Sequence, residues 1–326
     1  MAQRTNADMG LVDGLTSDLG GPRTAALLGR LDAAVPWDAL ARPVEALPEY
    51  RAPARGEQSK GGRPAWPAHT MLRCVLLAKW FGLSDPQLEE CLKDRLSFRR
   101  FAGLSLTDGT PDETTFVVFR RRLREAGLDR KIFEETVAQL EKKGLLVKDG
   151  TLVDATIVEQ SRGQKRQDGT STRDEEASFT KKHGRSYHGY KGHIAADRSG
   201  LVTGYRFSGA APHDSQFIDE LTEDEKRMVV ADAAYRSRER EERLARRGVA
   251  CAMPYKRERG QAVLEPLEEM FNRLVAQLRA VVEHPFAWLK NAGYRRVRYR
   301  GLRRNELDFA LNLVAYNWKR SLSLGA

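Results

Sequence analysis

From position 67 onward, Leu72, Val75, Leu76, Lys79 and Trp80 recur at three-to-four spacing, which predicts a helix. Ser84 and Gln87 form a capping-box pattern opening a second helix through Leu92. Thr110, with Pro111 at the first helical position and Glu113 closing the box, opens a third. That helix carries Phe116, Phe119 and Leu123 on one face and stops at Gly127. A fourth runs from Asp129 through Phe133, Val137 and Leu140 to Gly144. Residues 65–144 thus read as an all-α domain. Before it, Pro36, Pro43, Pro48 and Pro53 punctuate the chain, and the basic stretch 55–64 follows. Residues 1–64 read as an irregular segment and linker.

Beyond Gly144 the texture changes. A turn at 148–150 precedes 151–158, rich in β-branched residues, which predicts a strand. Residues 160–186 are polar and charged and read as an extended loop. Runs 187–196 and 201–208 predict a hairpin turning at 197–200. Helix (215–221), strand (228–231), helix (238–247) and strand (249–253) then alternate before a long final helical region. This order predicts an α/β domain over 145–326, a mixed sheet flanked by helices.

The composition narrows the class. Hydrophobic residues make up 41% and charged residues 31% of 326 positions, typical of a globular protein. Cys74, Cys91 and Cys251 lie far apart without metal-ligand spacing, so a disulfide framework or structural zinc is not expected. Residues 1–20 lack the apolar core of a signal peptide, and the apolar stretch 71–83 is too short to span a bilayer. No membrane association and a cytoplasmic location are expected. The net charge is +10 and the pI about 9.6, which favours a polyanionic partner. Between Lys290 and Arg320, nine Lys or Arg face only Glu306 and Asp308, a net of +7.

Asp154 interrupts an apolar strand pattern, and Asp232 directly follows the apolar run 228–231. A carboxylate inside a sheet is costly unless paired or metal-bound. Ligand sites in such sheets commonly lie beyond the strands' carboxyl ends. Glu283 sits on the later helical stretch, where Asn272, Arg279, Glu283 and Lys290 are spaced to share one stripe. Pro285 kinks that helix or marks the first turn of a new one. Singly, each acid reads as a turn or surface residue. Together, three carboxylates suit two Mg2+ or Mn2+ ions that activate an attacking oxygen and stabilise a leaving one. Asp154 would bridge the two ions, with Asp232 on one and Glu283 on the other.

The segments 152–156, 189–193, 231–235, 279–290 and 293–302 resemble bacterial insertion-sequence transposases of the Asp-Asp-Glu type, in particular the insertion-sequence-five group. The resemblance covers roughly 60–320, in the family's order. It implies a ribonuclease-H-like catalytic domain with Asp154, Asp232 and Glu283 as metal ligands. It also implies cleavage at the ends of a DNA element and attack of the freed 3′-hydroxyls on target DNA. A related signature places Tyr, Arg, Glu and Lys at fixed spacing on the last helix. Arg279, Glu283 and Lys290 match it, whereas the Tyr position is Ala276.

The expected DNA contacts follow from charge. Residues 294–304 interleave Tyr with Arg295, Arg296, Arg298 and Arg300, suiting phosphates and unpaired bases. Lys191, Arg279 and Lys290 are further candidates. His193 is either a second group behind the acids or a core histidine, and His284 either such a group or a surface residue. Arg120, Arg121, Arg122 and Arg124 leave open whether the helical domain enters a DNA groove or dimerises. The expected partner is double-stranded DNA, both element ends and target, bound by a homodimer or higher oligomer. A DNA-binding regulator with idle acids and a metal-dependent nuclease without strand transfer are the alternatives.

Overall fold

The computed structural model describes residues 22–50, 64–164, 171–182, 184–257, 261 and 263–325. The chain divides into two compact units, residues 1–139 with 310–326, and residues 140–309.

The first unit is helical: α1 (Pro22–Ala34), α2 (Trp37–Glu45), α3 (Ala68–Phe81), α4 (Asp85–Asp94), α5 (Leu96–Phe101), α6 (Glu113–Glu125) and most of α7 (Leu128–Lys142). The irregular reading of the N-terminal segment fails over α1 and α2. Trp37, Leu40, Ala41 and Val44 are buried at helical spacing, and Pro36 sits at the helix start rather than breaking it. The basic stretch lies, up to residue 63, outside the described residues. Helix α3 is buried almost all round, and Trp80 Nε1 donates to the Ala315 carbonyl at 2.8 Å. Ser84 caps α4 in the expected box with Gln87. The cap of α6 is Asp112, which accepts from the Thr115 amide at 2.7 Å; it starts two residues later than the Thr110 pattern predicts. Arg120, buried, donates to Asp85 at 2.8 Å, while Arg122 pairs with Glu49 at 3.4 Å. These two guanidiniums are therefore engaged within the helical unit.

Among the described residues, the second unit is built on a six-stranded mixed sheet: β1 (Thr151–Glu159), β2 (Ser178–Lys182), β3 (Arg185–Ala196), β4 (Val202–Gly209), β5 (Met228–Val230) and β6 (Ala250–Ala252). The order is β2-β3-β1-β5-β6, with β4 on β3. Strand β3 pairs antiparallel with β1, β2 and β4, whereas β1–β5 and β5–β6 are parallel. β2 lies within the stretch expected to be loop; residues 165–170 and 183 of that stretch fall outside the described residues. Flanking helices are α8 (Ile218–Leu221), α9 (Arg238–Arg246), α10 (Pro266–Arg279) and α11 (Glu283–Asn291), then α12 (Leu302–Ser321), which contributes to both units. One sheet face packs Val153, Val229 and Ala231 against Ile218, Leu244 and Met253. On the other, the Phe309 ring meets Gly192 so closely that a Cβ there would lie 2.5 Å from it. No described helix is long and apolar enough to cross a membrane.

Candidate active site

Register brings the first two acids together. Leu152 of β1 is level with Val230 of β5 in a parallel ladder, so Asp154 and Asp232 stand two residues further along adjacent strand lines. In-register residues of neighbouring parallel strands point to one face, with strand lines about 4.8 Å apart. Since Val153 and Ala231 belong to the apolar cluster, their successors Asp154 and Asp232 face the opposite side. Strand β5 stops at Val230, which leaves the rest of β1 open along that edge. Further on, the edge is closed again: Glu159 bridges Arg296, and the Val297 amide donates to the Glu159 carbonyl at 2.9 Å.

A cavity of about 250 Å³ occupies this notch. Asp154 to Ile157 of β1, Asp232, Ala234 and Tyr235 form one side; Thr180 to Lys182 of β2, with Lys191, His213 and Asp214, form the rest. Asp154 accepts from the Ala155 amide at 2.8 Å, and Asp232 from the Ala233 amide at 2.5 Å. Burial pushes the Asp154 carboxyl above its usual range, against the pull of the Ala155 amide and Arg279; the Asp232 charge adds to the rise and Lys182 opposes it. A desolvated carboxylate beside a second one is a place where a cation relieves repulsion.

The helical stretch predicted to carry Glu283 is broken in two. α10 ends at Arg279, residues Ala280–Val282 tighten into a 3-10 turn, and α11 begins at Glu283 with Pro285 in its first turn. Pro lacks an N–H, so the first turn is where it is tolerated. Arg279 Nη1 lies 3.6 Å from Asp232 Oδ1. Glu283, His284 and Lys290 are exposed. Asn272 leaves the expected stripe: its side chain holds both the amide and the carbonyl of Tyr255, at 2.8 and 3.1 Å.

The donor set is all carboxylate oxygen, which suits a hard divalent cation. Asp154 and Asp232, which line one cavity, are of the right donor type for such an ion. Glu283 is not among the residues that line this cavity, and among the described residues no three His, Cys, Asp or Glu side chains come close enough together to hold a metal.

Lys191 lines the cavity but is buried, bonded to Asp214 at 2.8 Å and to the Pro212 carbonyl at 2.9 Å. His193 is a core residue, 1% exposed, with Nε2 3.2 Å from Ser208 Oγ and its ring 4.4 Å from that of Phe217. Burial lowers its pKa to about 4, leaving it neutral at physiological pH.

In the basic run, Tyr294 and Val297 point inward while Arg295, Arg296, Arg298 and Arg300 are exposed. An acidic latch anchors its end. Asp174 accepts from the Gly301 amide at 2.9 Å and the Tyr190 hydroxyl at 2.8 Å, and Glu176 from the Leu302 amide at 2.9 Å. Burial raises the Asp174 carboxyl, but these donors outweigh it and hold it below the usual range.

Sequence reasoning missed Asp214, Lys182 and Arg240. Buried Arg240 donates to the carbonyls of Tyr235 and Ser215, the latter at 2.9 Å, and pairs with Asp219 at 3.1 Å. It thereby ties the turn after Asp232 to the turn carrying Asp214. An Arg on a charged helix face carries no such signal; Tyr235 was visible only as part of a resembling motif.

Two family profiles match the chain. A transposase domain (DUF772) matches residues 22–122, across the helical unit. No solved structure matches. The transposase DDE domain matches residues 146–318, more than half of the chain and including Asp154 and Asp232, and the chain therefore belongs to that transposase family.

Proposed function

We propose that this transposase cuts the ends of its own insertion sequence, of the insertion-sequence-five group, and joins the freed 3′-hydroxyls to target DNA. The observation that carries the reading is the placement of Asp154 and Asp232 on adjacent strand lines at one cavity, inside the transposase DDE domain. The domain is read as ribonuclease-H-like. Asp154, Asp232 and Glu283 would hold two Mg2+ or Mn2+ ions. Such ions supply Lewis-acid charge at the attacking and leaving oxygens.

The chain's own groups do the rest. Arg279 offsets the carboxylates before the ligands assemble. Lys181 and Lys182, above the cavity, meet the phosphate nearest the reaction. Arg295, Arg296, Arg298 and Arg300, with Lys290, hold the flanking backbone on their exposed face. Water attacks the scissile phosphorus and the bond to the 3′ oxygen breaks. The freed hydroxyl then attacks a target phosphorus and displaces a target 3′ oxygen. Two ends must meet, so at least two copies act on one DNA complex.

Joining of a labelled element end to a target plasmid tests the reading. Joined product supports it; cut ends that never join leave a nuclease. The exposed position of Glu283 favours, as a second reading, a DNA-binding regulator, which binds ends and cuts nothing.

A further inference from the structure

The Tyr235 ring is packed in the apolar cluster with Val153, Ile218 and Leu244, and the residue is 2% exposed. Its hydroxyl is buried and, among the described residues, has no hydrogen-bond partner. The same residue lines the cavity, and its neighbours there include Asp154, Asp214 and Asp232. Native folds rarely leave a buried hydroxyl unsatisfied, because desolvation is then uncompensated. Phenylalanine would fill the apolar site equally well, so packing does not account for the oxygen.

The main chain of this residue is tied on both sides. The Tyr235 amide donates to the Asp232 carbonyl at 2.9 Å, and its carbonyl accepts from buried Arg240. One turn therefore carries both the acid and the phenol, at a fixed separation of three residues.

We propose that Tyr235 is a further catalytic residue, whose hydroxyl donates a hydrogen bond to a non-bridging oxygen of the phosphodiester in the cavity. This rests on the phosphoryl-transfer reading above. A neutral donor among carboxylates orients the phosphate without adding a charge that competes with metal ions.

The test is Tyr235→Phe, which keeps the ring and removes only the oxygen. Cleavage of DNA carrying the element's ends, with Mg2+, is measured beside end binding and thermal melting, with Asp232→Asn run in parallel. Cleavage is expected to slow on the order of 100-fold, with end binding within about twofold and melting unchanged or higher. Wild-type cleavage by Tyr235→Phe, while Asp232→Asn is dead, overturns the proposal alone. A clear fall in melting temperature also overturns it, since the hydroxyl would then serve the fold. Wild type that never cuts, or Asp232→Asn that cuts normally, overturns the phosphoryl-transfer reading and this proposal with it.

Discussion

Arg279 Nη1 stands 3.6 Å from Asp232 Oδ1, so the last residue of α10 reaches the turn that follows β5. The guanidinium also draws down the Asp154 carboxyl, which burial pushes up. One cation thus serves two carboxylates on adjacent strand lines, and the balance is incomplete.

That incompleteness has a sign. The Asp154 pKa is raised in the fold, so the folded state binds its proton more tightly than the unfolded chain does. The ionised form therefore costs stability at neutral pH, and the cost shrinks as pH falls through the folded pKa and is gone below the unfolded value. In metal-free protein, Asp154→Asn is expected to melt higher than wild type at pH 7.5 (about neutral, well above the usual carboxylate range of roughly 4). The gap should close in acid. Equal melting at both pH values would contradict the burial argument.

Asp174 runs the other way. Its carboxyl is held below the usual range, so its contribution is present at neutral pH and is lost as pH falls below about 4. Asp174→Asn should cost about 1–2 kcal/mol in urea unfolding at neutral pH, since the Gly301 and Tyr190 donors lose a charged acceptor. Near pH 3 the difference should shrink.

Gly192 is required by the ring it faces. Gly192→Ala would push a Cβ into Phe309, and overpacking of this kind costs roughly 1–3 kcal/mol. Chemical denaturation measures it; an unchanged midpoint would mean the ring has room to move.

The exposed arginines make a prediction in salt. If Arg295, Arg296, Arg298 and Arg300 grip phosphates, each Ala substitution lowers the slope of log affinity against log salt by about 1. Arg120→Ala, whose guanidinium is committed to Asp85, should leave the slope unchanged.

Legibility in the sequence tracked locality. Capping by Ser84 and the strand runs around Asp154 and Asp232 depend on neighbouring residues, and they were readable from spacing alone. Helix α2 was obscured because Pro36, just before its first turn, and Pro43, inside it, look like prolines that prevent a helix. The stripe through Asn272, Arg279, Glu283 and Lys290 assumed an unbroken helix, and the 3-10 turn at Ala280–Val282 divides it. The pairing of Lys191 with Asp214, and the reach of Arg240 between two turns, depend on tertiary contacts that no local pattern encodes.

The central claim is that Asp154, Asp232 and Glu283 act as one metal-holding set. Its most direct measurement is Mg2+-dependent cleavage of element-end DNA by Asp154→Asn, Asp232→Asn and Glu283→Gln beside wild type, with end binding measured in parallel. The account predicts that all three variants bind the ends and lose at least about 100-fold in cleavage, beyond the 10–100-fold typical of groups that merely orient a ligand. Normal cleavage by Glu283→Gln would contradict it and leave a site of two acids.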